Sequence, residues 1–200
     1  MEKELPIYRL DISEDENSNV EVDFVALVDR PAIERSFLAF AEHKDRMTFA
    51  IQDEEEKIIS GPLMLADTPI YRYDSSGEYY VVFTADTIKK IAQKYFKKGY
   101  QSNVNLMHDN GQVVDGLTMF ESWIVDEKRG IKPMKGYEDV KDGSWFGSFK
   151  VENEEVWQMV KDGKVKGFSV EGIFNYSKSG INNPQKMMQD IINILNQVSL

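Results

Sequence analysis

The stretch from about 103 to 174 most constrains the fold, because runs typical of strands are interrupted there by one short helical run. Strands are predicted over about 103–108, 117–126, 145–151 and 165–174, with a helix near 153–161. Upstream, strands are predicted over 20–28 and about 79–83, and an amphipathic helix over about 85–97. This order predicts an α+β fold, a small, mostly antiparallel β-barrel surrounded by helices.

Less regular segments divide the chain. Arg30-Pro31 predicts the start of a short helix, and the polar, acidic residues from about 42 to 57 predict a mobile loop. Residues 175–183 have the composition of a linker, and Pro184 opens an amphipathic helix over 184–200. We therefore expect one domain over 1–174, a linker and a C-terminal helix that serves as a docking or oligomer surface.

Composition excludes several functions. The net charge of −10 argues against binding of nucleic acid, and the absence of cysteine excludes disulfides, thiolate zinc sites and a cysteine nucleophile. Apolar runs are shorter than the ~20 residues of a membrane span, and the charged first residues do not resemble a signal peptide. No motif for a metal or phosphate is present, so we expect no cofactor, no nucleic acid and no membrane.

Histidine is the residue that most often works as a base near neutral pH, and the chain has two. His43 lies in a polar stretch and is expected to be a solvent-exposed bystander. His108 ends the run Val104-Asn105-Leu106-Met107-His108, where the period of two places it on the face of Val104 and Leu106. A histidine at a strand end can also be purely structural, and both interpretations stay open.

Ser169 is the candidate nucleophile. In Lys166-Gly167-Phe168-Ser169-Val170-Glu171-Gly172, alternation places Gly167, Ser169 and Glu171 on one face of a strand. Gly167 would leave room for the backbone of a peptide substrate. The pattern is not the Gly-x-Ser-x-Gly elbow, because no strand-to-helix turn follows.

A carboxylate that orients the histidine has two candidates. Alternation places Glu121 on the apolar face of the 117–126 strand, where a carboxylate usually has a partner, and His108 could be that partner. In a tight hairpin of the 104–108 and 117–121 strands, however, Glu121 would lie about 13 Å from His108. Glu171, on the face of Ser169, is the rival, and a structural salt bridge for Glu121 is the third possibility.

Several segments together resemble the prohead (capsid maturation) serine proteases of tailed phages, in their prophage XkdF-like branch. The resemblance covers roughly 20–175 and rests on Asn105-Leu106-Met107-His108, Glu121-Ser122-Trp123-Ile124-Val125-Asp126, Trp145-Phe146-Gly147-Ser148-Phe149-Lys150-Val151 and Gly163-Lys164-Val165-Lys166-Gly167-Phe168-Ser169-Val170-Glu171-Gly172. Many members have glycine two residues after the serine, where this chain has Glu171.

The resemblance implies a fold related to the herpesvirus assembly protease, with Ser169 as nucleophile and His108 as base. It also implies a homodimer in the host cytoplasm, inside the phage procapsid, that cleaves itself and the extensions of scaffold and major capsid protein. The sequence leaves an alternative open, a non-catalytic structural or scaffolding protein of the phage head with a protease-like barrel.

Overall fold

Strands dominate the residues that the computed structural model describes, which are 5–29, 48–74, 77–109 and 113–178. In chain order the elements are β1 (Ile7–Asp11), β2 (Val22–Val28), β3 (Ala50–Asp53), β4 (Ile58–Met64), β5 (Ile70–Asp74), β6 (Gly77–Val82), α1 (Ala85–Lys97), β7 (Val104–Leu106), β8 (Leu117–Ile124), β9 (Trp145–Val151), α2 (Glu154–Lys161), β10 (Gly167–Gly172) and β11 (Asn175–Lys178).

These strands form three sheets, with the orders β11-β1-β6-β5, β10-β2-β7 and β3-β4-β9-β8. Most neighbours are antiparallel, while β1 pairs with β6 and β2 pairs with β7 in parallel. The described residues are mostly strands with two α-helices, a content that fits the predicted α+β class. Within the described ranges, however, the sheets do not close into the expected barrel.

The core is built on β9, the strand between β4 and β8, which is buried along nearly its whole length. Phe149 packs against Phe168 of β10 with ring centroids 4.8 Å apart, so the core connects two of the sheets. From the other side, Tyr95 of α1 packs edge-on against Trp145 at 5.6 Å. Burial of each such ring contributes roughly 1.5–3 kcal/mol, so this core fixes the position of β10 firmly.

Helix α1 has the bounds that the sequence predicts. Thr84 caps its first turn by accepting a hydrogen bond from Thr87 N at 3.2 Å, and its buried face includes Ile88, Ile91 and Tyr95. Lys94 lies on this buried side, where its Nζ is 2.9 Å from Glu21 Oε2 and donates to the carbonyls of Ser13, Asp15 and Ser18. This lysine therefore ties the segment before β2 to the helix.

Two predicted segments differ from the structure. Residues 50–53, inside the loop predicted over 42–57, form β3 because they pair with β4. Residues 175–178, predicted as the start of a linker, form β11 and pair with β1. The helix predicted after Arg30-Pro31 and the helix over 184–200 lie outside the described residues.

Candidate active site

Ser169 lies in the middle of β10, the outer strand of its sheet, and only 7% of its surface is exposed. Its partner across the ladder is Ala26 of β2, and the partner of Ala26 on the other side is Asn105 of β7. Residues opposite one another in a sheet point to the same face. The small side chain of Ala26 therefore leaves space between Ser169 and Asn105, whose Cα atoms are about 10 Å apart by two strand spacings.

His108 follows β7 in an unusual backbone conformation. Met107 and His108 have φ angles of 54° and 60°, in the left-handed region that few residues other than glycine adopt. The strand has ended at Leu106, so the period of two no longer applies, and the expected position of His108 on the face of Val104 and Leu106 is wrong. Two backbone hydrogen bonds hold the turn, Met107 N to Leu27 O and Asp109 N to Leu106 O. Strained residues of this kind concentrate at functional sites.

Glu171 of β10 reaches across β2 to contact β7 and the residues that follow it. Its Oε1 lies 3.0 Å from His108 Nδ1 and accepts a hydrogen bond of 2.7 Å from Asn105 Nδ2. The His108 side chain is 46% exposed and that of Glu171 is 21% exposed. Because Glu171 engages Nδ1, Nε2 is the ring nitrogen that remains for proton exchange, as in serine hydrolase triads.

The hydroxyl of Ser169 forms no hydrogen bond with any described residue, including His108. The two side chains are nevertheless brought to one face, because Glu171, the contact of His108, lies two residues after Ser169 on the same strand. Catalytic hydrogen bonds are often long or absent without substrate and tighten when it binds. The arrangement thus supplies a hydroxyl, an imidazole and a carboxylate. The imidazole and the carboxylate are in contact, and the hydroxyl of Ser169 does not yet contact the imidazole of His108.

Glu121 lies elsewhere and contacts a different group. The pairing of β8 with β9 shifts at a bulge between Met119 and Glu121, so Phe120 and Glu121 are both exposed. The expected position of Glu121 on the apolar face is therefore wrong. Its Oε2 accepts a hydrogen bond of 2.7 Å from Ser148 Oγ. Since β7 pairs with β2 and not with β8, the structure brings Glu171 to His108, and not Glu121.

A cavity of about 350 Å³ runs beside Ser169. Five consecutive residues of β10, from Phe168 to Gly172, line it, which places the cavity along the edge of the strand and not over one face. The remaining lining residues come from β1, from the end of β4 and its following turn, from β5, from the residue after β6, and from the residues around β11: Leu10, Leu63, Met64, Leu65, Ile70, Arg72, Phe83, Phe174 and Tyr176. We call this cavity the β10 groove.

The backbone of β10 faces this groove at alternate residues. Val25 N donates to Asn103 O and Leu27 O accepts from Met107 N, so both residues direct their backbone groups toward β7. Ala26 therefore directs its own groups toward Ser169, and Phe168 and Val170 direct theirs to the opposite edge. Around Gly167 that edge is covered, because Thr48 forms a bridge there and Phe49 N donates to Lys166 O at 2.8 Å. In a bridge of this type the residues on both sides of the pair supply the hydrogen-bonding groups, so the N–H of Phe168 is covered as well. The room that we expected beside Gly167 is thus filled by the chain itself, and the open edge begins after the N–H of Phe168.

Arg72 is a groove residue that the sequence reasoning missed. It lies on β5, partly buried, and its hydrogen bond goes to the carbonyl of the preceding residue, Tyr71, at 3.1 Å. Burial lowers the pKa of the guanidinium, while Tyr176 and Tyr79 act in the opposite direction. The sequence did contain a sign that Arg72 points inward, because alternation places it on the same strand face as Ile70, which is 8% exposed.

Two negative findings apply to the described residues. No group of three or more histidine, aspartate or glutamate side chains is arranged there to hold a metal ion. No helix in the same ranges has the length and apolar character that crossing a membrane requires.

Comparison with known proteins gives a family. Residues 46–177 match the family described as "Putative phage serine protease XkdF", a range that includes Arg72, His108, Ser169 and Glu171. Among curated proteins, the chain is similar to the uncharacterized protein YqbD of Bacillus subtilis (strain 168), with 27% identity over 161 residues. That alignment covers 77% of this chain and 45% of YqbD, so the chain spans less than half the length of this relative. No solved structure matches the chain.

Proposed function

We propose that this chain, which belongs to the phage serine protease family of the XkdF type, is a serine endopeptidase with Ser169 as nucleophile, His108 as general base and Glu171 as the orienting acid. The observation that carries the proposal is the contact of 3.0 Å between His108 Nδ1 and Glu171 Oε1, on the strand that holds Ser169. This contact fixes the tautomer with the proton on Nδ1 and leaves Nε2 to accept a proton.

In the proposed reaction, Ser169 Oγ forms a bond to the scissile carbonyl carbon while its proton moves to His108 Nε2. The tetrahedral intermediate collapses, the C–N bond breaks, and His108 gives the proton to the leaving amine. Water then attacks the acyl-enzyme with the same histidine as base. Glu171 stabilises the imidazolium that forms in each half, and its second partner, Asn105, holds the carboxylate in place.

The open edge of β10 supports binding of a polypeptide in extended form. Backbone groups of Val170 face the β10 groove beyond the part of the edge that the segment at Thr48 covers, so a peptide strand laid there would exchange hydrogen bonds with them. The N–H of Val170, next to Ser169, is the nearest backbone donor on that open edge for a developing oxyanion. The end of β4, at Leu63 and Met64, also lines this groove.

The biological substrates that we propose follow from family membership. A phage serine protease with a groove for extended chains would act on scaffold and on extensions of the major capsid protein, and on itself, inside the procapsid in the host cytoplasm. We propose a homodimer and a fold related to the herpesvirus assembly protease on the same basis. The non-catalytic alternative finds support in one observation, the missing contact between Ser169 Oγ and His108.

The test is co-expression of the chain with the scaffold and major capsid protein of the same phage genome, followed by mass spectrometry of the products. We expect cleavage with the wild type and with the exposed control Ser177→Ala, and none with Ser169→Ala or His108→Gln. A fluorophosphonate probe should label the wild type at Ser169 and leave Ser169→Ala unlabelled. Equal cleavage in wild type and Ser169→Ala, or intact substrates throughout without labelling, would favour the structural alternative.

A further inference from the structure

We propose that the β10 groove selects peptides with an acidic side chain, and that Arg72 binds the carboxylate of that side chain. The inference rests on the proposed peptidase function and adds a specificity to it. Arg72 would touch the substrate but not the reacting atoms, so it is a specificity residue and not a catalytic one.

The charges of the groove support this assignment. Among the described lining residues, Arg72 is the cationic side chain, and most of the others are apolar. The anion of the groove, Glu171, is engaged by His108 and Asn105 and forms no ion pair with Arg72. Within the described part of the chain, the groove thus presents at one wall a positive charge with no carboxylate partner, in a protein whose net charge is −10.

Most donors of Arg72 have no acceptor among the described residues. A guanidinium has five N–H donors, and within that part of the chain Arg72 forms one hydrogen bond, from Nη1 to Tyr71 O at 3.1 Å. Keeping a partly buried guanidinium without an anion costs stability, and evolution usually supplies a partner in the fold. A carboxylate that accepts two parallel N–H bonds matches the remaining geometry, which is the form of recognition that distinguishes Arg from Lys.

A structural role for Arg72 is the competing explanation. Tyr79 is its cross-strand partner and Tyr176 lines the groove with it, so the planar guanidinium could simply complete an aromatic wall. The two roles differ in what neutral variants do. Loss of a wall residue lowers stability and affects all peptides alike, whereas loss of a carboxylate site removes the preference between Glu and Gln.

The experiment compares cleavage of a decapeptide library with amidated C-termini, in which one position at a time is Glu, Gln, Lys or Leu. For the wild type and for the exposed control Arg9→Gln, we expect at one position at least about tenfold faster cleavage of Glu than of Gln. Arg72→Gln should reduce this ratio to within about twofold, Arg72→Lys should keep part of it, and Arg72→Glu should favour Lys. Thermal melts of all variants separate loss of folding from loss of preference.

Two results would overturn the inference: Glu and Gln cleaved equally by the wild type, or a preference for Glu that survives in Arg72→Gln. A preference that requires a free C-terminal carboxylate, seen with a second library that is not amidated, would overturn the assignment to a side chain.

The inference remains testable if no peptide is cleaved. Binding of fluorescein-labelled Glu and Gln peptides to Ser169→Ala, measured by anisotropy, should favour Glu, and the added change Arg72→Gln should abolish that difference. Selective binding without cleavage or probe labelling would refute the peptidase function and support the binding of an acidic side chain by Arg72. Cleavage without selectivity would support the peptidase function and refute the role of Arg72.

Discussion

Replacement of Glu171 by Gln tests the assignment of the acid most directly. The change keeps the shape of the side chain and removes the charge that lies 3.0 Å from His108 Nδ1. At this distance, Coulomb's law gives about 1.4 kcal/mol at the dielectric constant of water and about 5.5 kcal/mol at an effective value of about 20. Because the His108 side chain is 46% exposed, solvent screening favours the lower part of that range, about 1.5–3 kcal/mol.

In the proposed mechanism, this energy stabilises the imidazolium that forms when Ser169 attacks the substrate. The loss therefore appears in the rate of acylation, as a decrease of about 10- to 150-fold. The assay is the second-order rate of Ser169 labelling by a fluorophosphonate probe, which needs no knowledge of the natural substrate. Asn105→Ala, which removes the second contact of Glu171, should reduce the same rate by a smaller factor, since the carboxylate keeps its charge.

Glu121→Gln is the discriminating comparison. Glu121 contacts Ser148 and not His108, so its neutral variant should label within about twofold of wild type. If the labelling rate of Glu121→Gln fell 10-fold or more while that of Glu171→Gln stayed at the wild-type value, the assignment of Glu171 as the acid would be wrong. The geometry of the active protein would then differ from the one described.

Two further predictions concern the contact between α1 and the segment before β2. Lys94→Met leaves the buried Glu21 without its main partner and should lower the free energy of unfolding, measured by urea denaturation, by about 3–5 kcal/mol. The control Lys98→Met, at a more exposed lysine, should lower it by less than about 1 kcal/mol. Similar losses for the two variants would contradict a buried ion pair. Burial raises the pKa of Glu21, but hydrogen bonds from Lys94 and Tyr100 outweigh it, so the pKa is lower in the folded chain than in the unfolded one. The resulting stability is present above about pH 4.3, the unfolded value, and is lost as pH falls through the folded value. Glu21→Gln should therefore make the free energy of unfolding less dependent on pH below about 5, and an unchanged dependence on pH would refute this.

Local patterns predicted the parts of the fold that depend on local interactions. The bounds of α1 follow from its apolar spacing, and the strand that carries Ser169 follows from alternation around Gly167. The partner of His108 could not be predicted in this way. Glu171 contacts His108 only because β10 and β7 both pair with β2. Such pairing between distant segments cannot be predicted from the sequence of either segment alone.

The errors at the site have a common cause, an interruption of the period of two. The bulge before Glu121 exposes two successive side chains, and the left-handed residues Met107 and His108 turn the imidazole away from the expected face. Alternation predicts side-chain direction only while a strand stays regular. Active-site residues often lie where regularity ends, so the same feature that makes them useful also hides their direction in the sequence.

The strand β11 changes what counts as the smallest functional unit of this chain. It pairs with β1, close to the other end of the described residues, and its Tyr176 is also a wall of the β10 groove. A chain shortened to Phe174, the boundary that composition suggests, would expose the edge of β1 to intermolecular strand pairing and open one side of the groove. If the proposed peptidase processes itself, cuts beyond Lys178 would therefore leave the groove intact, whereas a cut before β11 would remove one of its walls.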